Sequence, residues 1–296
     1  MRASALFAVL VIAVGSAMAA ESPPRPWTLS VEALGDSESG RSFYLGGDYH
    51  FTPVFDAFWA LERTSLPSDR GDFQGNRYFV GVGALLTDHI RGEASYEHWG
   101  ESGDFVTETF EVRVSRVAGD IRWSFAPARR HLTLYSDTTV VNPMPGPGPG
   151  GMSMTTETGI NDDILSASLG YAGWQHLRVD VRGSWHSYSR DPTMVNSRMS
   201  LRFLDNSALT LTRSVLDHSL GATVSWRFDG GSRVYGDVVH DALAEDNSTA
   251  DTYQVGYRHA LDRHWDIGVR AGRTNAETLV DTSFVGVGFT YYGPAD

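Results

Sequence analysis

Cysteine is absent from the 296 residues, and so is lysine. Without cysteine the chain has no disulfide framework, no thiolate nucleophile and no thiolate metal site. The 24 basic residues are therefore all arginine, set against 36 acidic ones for a net charge of -12. No basic run is available to displace phosphate counterions, which excludes a general nucleic-acid binder. Long hydrophobic runs are also missing after the first residues, so no later segment reaches the roughly 20 apolar residues that a membrane-spanning helix needs. No helical heptad stands out. What is plentiful is glycine, at 31 residues, and aromatic side chains, at 11%, a usage that favours strands and turns.

The start of the chain carries an address. Met1 and Arg2 lead into the apolar run 3–14, and Ala17-Met18-Ala19 follows as a small-residue cleavage pattern. This is the composition of a secretory signal peptide, expected over residues 1–20 with cleavage after Ala19 or Ala20, leaving 21–296 as one domain.

The far end shows the period of the rest. Tyr253, Val255 and Tyr257 alternate with polar or small residues, and after the turn Leu261-Asp262-Arg263 so do Trp265, Ile267, Val269 and Ala271. Val285, Val287, Phe289 and Tyr291 then alternate with Gly286, Gly288, Thr290 and Tyr292. Side chains two residues apart share a face, so each stretch is a strand with one apolar face. Aromatics gather near the strand ends, where a membrane barrel places its interfacial girdles.

Back from Trp27, the chain divides into about 16 such segments. Connections beginning at Thr52-Pro53 and Thr87-Asp88 are short, whereas those beginning at Ser65, Asn142, Asp191 and Glu245 are longer. The Pro/Gly-rich run 142–151 cannot be a regular strand, since proline removes ladder donors. Between Thr107 and Phe125 the apolar parity changes phase at Val117-Ala118-Gly119-Asp120, which fits either one bulged strand or two strands and a turn. An even strand total favours the bulge. Phe79-Val80-Gly81-Val82-Gly83 echoes Phe284-Val285-Gly286-Val287-Gly288, but no helix-forming stretch follows either copy, so these are strand glycines and not a phosphate loop.

In these features the chain resembles Gram-negative outer-membrane β-barrels, and its last strand resembles the C-terminal signal strand by which assembly machinery recognises them. It departs from that pattern in continuing through Gly293-Pro294-Ala295-Asp296 after the final aromatic residue. The resemblance implies an all-β, transmembrane, antiparallel up-and-down barrel in the outer membrane, surrounded by lipid and lipopolysaccharide. It names no subfamily.

If the apolar parity faces lipid, the other parity lines the lumen. Strands one to five then contribute Glu32, Asp48, Asp56, Glu62, Glu93 and Glu97, with Arg91 among them. Strands nine to twelve contribute Arg178, Arg182, Arg190, Arg202 and Arg227, with Asp180 among them. Acidic and basic arcs on opposite walls would set a transverse field, resembling the constriction of general porins. The alternative is that these charges pair between neighbouring strands and stiffen a hydrated wall.

Catalytic constellations are weak. His186-Ser187 with Ser189, His218-Ser219 and His240-Asp241 are the candidates, yet adjacent strand residues point to opposite faces and cannot form a dyad within one strand. No HExxH metal motif is present, and Asp162-Asp163 lacks a calcium-loop frame. The expectation is a channel, without cofactor or metal, that passes small or chain-like polar solutes. Pore portions of exopolysaccharide exporters are similar in size, and a polymer role would need a separate periplasmic partner. The alternatives are a rim enzyme acting on lipid and a structural or adhesive barrel whose lumen is plugged by the loop 142–154.

Overall fold

The computed structural model describes residues 26–66, 73–101, 105–141, 151–190, 215–244, 248–277 and 281–294. The signal segment, Arg202 and the expected strands 199–203 and 208–212 lie outside the described residues, as does most of the Pro/Gly-rich run.

Fourteen antiparallel strands close on themselves: β1 (Trp27–Asp36), β2 (Arg41–Thr52), β3 (Phe55–Leu66), β4 (Phe73–Thr87), β5 (Ile90–Glu101), β6 (Phe105–Ala118), β7 (Ile121–Val141), β8 (Gly151–Tyr171), β9 (Leu177–Tyr188), β10 (Leu216–Arg227), β11 (Arg233–Leu243), β12 (Thr249–Ala260), β13 (Trp265–Ala276) and β14 (Thr282–Tyr292). Each strand pairs with its neighbours in sequence, and β1 closes the ring on β14 from Thr28 opposite Tyr292 to Asp36 opposite Phe284. Closure leaves no unpaired edge, which is the condition for a sheet to sit in hydrocarbon.

The count is fourteen among the described residues where the sequence pattern suggested about sixteen, and the two further expected strands, 199–203 and 208–212, fall between β9 and β10, which pair directly with each other. Apolar parity changes at residues 117–120 because a two-residue turn stands there, with Gly119 at φ 59°, and the bulged-strand expectation is corrected to a hairpin of β6 and β7. Beyond the turn, β7 does not stop at Pro127. The proline is in register with Leu165 of β8, while pairing to β6 skips from Glu111–Ala128 to Val114–Phe125. A missing N–H interrupts one ladder only, so segments that read as separate strands are one. The partner β8 begins at Gly151, the last residue of the Pro/Gly-rich run.

Large apolar residues sit on the outside: Val255, Val285, Leu169 and Phe110 are among those more than half exposed. An exposed belt of this kind encircling a closed barrel is a lipid-facing surface. No helix among the described residues is long and apolar enough to cross a membrane; strands make the crossing. Both described chain ends lie at the end of the barrel with the short turns, between residues 53–54, 88–89, 119–120, 172–176, 228–232 and 261–264. That end carries an aromatic girdle in which Trp27 and Trp265 both pack on Tyr291, at 5.1 and 4.8 Å between ring centroids. Short turns mark it as the periplasmic, inner end; the connections at the outer end range from residues 102–104 to residues 189–215.

Candidate functional site in the barrel interior

Residues of the opposite parity point inward, and they form two layers. The outer layer is apolar. Leu66, Trp99, Phe105, Leu132, Leu134 and Ile160, from β3 and β5 to β8, form a fully buried cluster that Val215 joins and against which Leu34 packs from β1. The Trp99 and Phe105 rings meet edge to face at 5.4 Å. The alternation of β7 and β8 continues, but here the inward parity is apolar.

Below it the interior is charged, and most charges are paired. Arg77 donates to Glu97 at 2.6 Å and lies 3.7 Å from Glu62, which also accepts from the Ser42 hydroxyl at 2.8 Å. Asp48 accepts from Thr28 and stands 3.2 Å from His50. The longer pairs reach across a whole strand. Arg182 on β9 meets Asp237 on β11 at 3.0 Å, passing over Gly221 of β10. Arg91 and Asp56 pair at 2.6 Å over Gly83, Arg122 and Asp180 at 3.1 Å over Gly170, and Arg270 and Glu32 at 2.5 Å over Gly286. At Gly221 an added Cβ would stand 2.9 Å from the Arg182 guanidinium carbon, so the missing side chain is what opens the path.

The expected lumenal set can be placed against this geometry. Glu32, Asp48, Asp56, Glu62, Glu93, Glu97, Arg178, Arg182 and Arg227 all have the inward parity. Arg190 lies past the end of β9 and is exposed, and Arg202 is outside the described residues. The acidic residues and arginines are not held apart on two bare walls: Arg91 binds Asp56 and Glu93, and Arg178 binds Asp180 at 2.7 Å. Reading by parity missed Arg77, Arg122, Arg130, Asp237 and Arg270, although each shares the inward parity of its strand.

None of the adjacent pairs named as catalytic candidates makes a dyad. His240 Nδ1 instead meets Asp251 at 2.9 Å, and His218 meets Asp217 at 2.8 Å. One arrangement with relay spacing does occur inside. His186 Nδ1 is 2.9 Å from the fully buried Asp162, and its Nε2 is 3.4 Å from the Ser184 hydroxyl. An i, i+2 pair on a strand shares a face, which adjacent-residue reasoning passes over. Arg130 holds the same Asp162 oxygen at 2.6 Å and donates to the Tyr188 hydroxyl at 3.2 Å. Gly183, Ser184 and Trp185 are laddered on both sides, to β8 and to β10, so their N–H groups are committed to the sheet. A serine nucleophile needs such donors for its oxyanion. Among the described residues no group of three or more His, Asp or Glu side chains is placed to hold a metal ion.

A closed, lipid-belted barrel with a polar interior defines an outer-membrane β-barrel protein. Solved structures agree with that fold. The chain is similar to the CymD monoaromatic hydrocarbon channel, with TM-score 0.60, 7% identity and coverage of 92% of this chain and 90% of that one. It is also similar to the Acinetobacter baumannii outer membrane protein Omp33, with TM-score 0.52, 10% identity and coverage of 90% and 98%. A loop L8 deletion mutant of the Vibrio cholerae outer membrane protein OmpT matches with TM-score 0.50, 10% identity and coverage of 90% and 98%. No protein-family model and no curated protein matches the chain in sequence.

Proposed function

We propose that this barrel is a passive outer-membrane channel for small or chain-like polar solutes. The observation that carries it is the contrast between the two faces of one closed sheet: apolar outside, and rich in paired guanidiniums and carboxylates inside. Charges paired across strands in this number suit a polar interior, where each partner offsets the desolvation of the other. Size supports the same reading, because about eight strands leave room only for side chains, whereas 16 to 18 enclose an aqueous channel. Fourteen strands lie nearer the second case. The likeness to a solved channel, CymD, supports it at the level of fold.

The acidic residues Glu32, Asp48, Asp56, Glu62, Glu93 and Glu97 and the basic residues Arg178, Arg182, Arg190, Arg202 and Arg227 are the proposed pore-lining set. Pairing lowers the transverse field without removing it: six carboxylates on β1 to β5 face two guanidiniums there, Arg77 and Arg91. The apolar outer layer is the narrow part of the path.

Planar-bilayer recording of the refolded mature protein tests the proposal. Stable ohmic steps are expected; silence from protein shown to be folded by its gel mobility before and after heating would overturn it.

The Ser184–His186–Asp162 alignment favours a second reading, an interior esterase. Hydrolysis of a soluble p-nitrophenyl ester, lost in Ser184→Ala, would establish it. The inward placement of these residues gives no access to membrane lipid.

A further inference from the structure

The arginines of the inner end are not all accounted for by ion pairs. Arg227 of β10 stands directly opposite Arg233 of β11, and Arg233 directly opposite Arg258 of β12. All three have the inward parity of their strands. Like charges at directly opposed positions destabilise a sheet, so a row of three is not accounted for by the fold.

The carboxylates nearby are committed elsewhere. Asp180 receives Arg178 on both oxygens, at 2.7 and 2.8 Å, and Arg122 at 3.1 Å. Glu32 is held by Arg270, and Asp266 accepts the Tyr292 hydroxyl at 2.8 Å. Asp229 sits almost fully exposed in the β10–β11 turn. Among the described residues, Arg233 and Arg258 have no carboxylate within ion-pair distance, and Arg233 donates to the Ser225 hydroxyl at 3.0 Å. Arg178 and Arg258 are the like charges acting on Arg233. Arg178 is also laddered to Ser225, which brings the β9, β10 and β11 side chains to one place.

We propose that Arg233 and Arg258, with Arg178 and the Ser225 hydroxyl beside them, form an oxyanion-binding site at the inner end of the lumen for small carboxylate- or phosphate-bearing solutes. The site deepens the channel proposal and rests on it. Guanidiniums present planar donor forks that match carboxylate and phosphate oxygens two at a time. In a lumen they face water rather than hydrocarbon, so an anion that enters replaces solvent and relieves the repulsion along the row. The opposite arc, with Glu62, Glu93 and Glu97, repels the same anion and holds it to the basic side.

Two measurements test the site. Calorimetric titration of the detergent-folded protein with succinate and, separately, with inorganic phosphate reads binding whether or not the barrel conducts. Binding of either anion, absent for the neutral succinamide, is expected, and the stronger of the two names the chemistry. In Arg233→Gln/Arg258→Gln the affinity is expected to fall about tenfold or more, the loss of a charge-assisted hydrogen bond. Arg113→Gln, which removes an equal charge from β6, is expected to change it little. In bilayers, the wild-type reversal potential in a KCl gradient should lie on the anion side and move toward the cation side in the double variant. If the double variant does not fold, Arg258→Gln alone is read in the same assays. No anion binding by folded wild type, or equal binding by the folded variant, overturns the site; binding without conductance overturns the channel proposal alone.

Discussion

Arg182 on β9 and Asp237 on β11 are joined at 3.0 Å over the bare backbone of Gly221, so a strand that contributes no side chain is spanned by a pair that locks three strands together. Arg182 also donates to the Thr223 hydroxyl at 2.9 Å, and Asp237 is buried. The cross-strand register sets this geometry: Gly221 faces Arg182, and Thr223 faces Asp237.

Gly221→Val should therefore break the pair from outside it. A side chain at Gly221 meets the guanidinium, and Asp237 is left buried with fewer partners, at a cost of about 1–3 kcal/mol. Urea unfolding of protein folded in phospholipid vesicles measures it. Gly230→Ala is the control, because a Cβ there meets nothing within 4 Å.

Among the described residues Trp99 has the largest fully buried side chain, and it anchors the outer apolar layer. Trp99→Ala should cost about 3–5 kcal/mol, the range for removing a buried aromatic ring. In bilayers the same variant should conduct more per open channel, since the ring lies in the narrow part of the proposed path.

Val255 lies mid-strand on β12 and is more than half exposed on the outer face. Val255→Arg should destabilise by about 2–4 kcal/mol in vesicles, the cost of a charge on the lipid face near the midplane. Val255→Leu should be close to neutral. Equal stability of the two variants would contradict the lipid-facing assignment of that parity.

The β12–β13 turn carries a pH-dependent element outside the membrane. Asp262 accepts the N–H groups of His264 at 2.6 Å and Trp265 at 2.9 Å, and these bonds hold its carboxyl below the usual range. A lowered folded pKa contributes stability that is present above the unfolded value and is lost as pH falls through the folded one. The stability gap between wild type and Asp262→Ala should thus be widest at neutral pH and close on acidification. A gap that stays constant from neutral to strongly acidic pH would show that the carboxylate charge plays no part.

Much of the barrel was legible in the chain itself. A strand's side chains alternate between two faces, so parity alone sorted Val285, Val287 and Phe289 from Gly286, Gly288 and Thr290 before any partner was known. Loop lengths separated the two ends for a similar local reason, since a tight turn needs few residues and particular ones. The turn at 119–120 was harder: a phase change is produced equally by a bulge and by a hairpin, and only the pairing of Ala118 with Ile121 distinguishes them.

Sequence by itself determined an apolar outside, a polar and charged inside and a chain that meanders, because each depends on composition and on a two-residue period. Tertiary structure decided which charges meet. Arg182 and Asp237 are 55 residues apart and separated by a strand, and their contact depends on register, on strand order and on a glycine between them. The same is true of Arg227, Arg233 and Arg258, whose alignment exists only once three strands are in register. Electrostatic interaction acts through space over a few ångströms, and that distance is set by the closed sheet rather than by position along the chain.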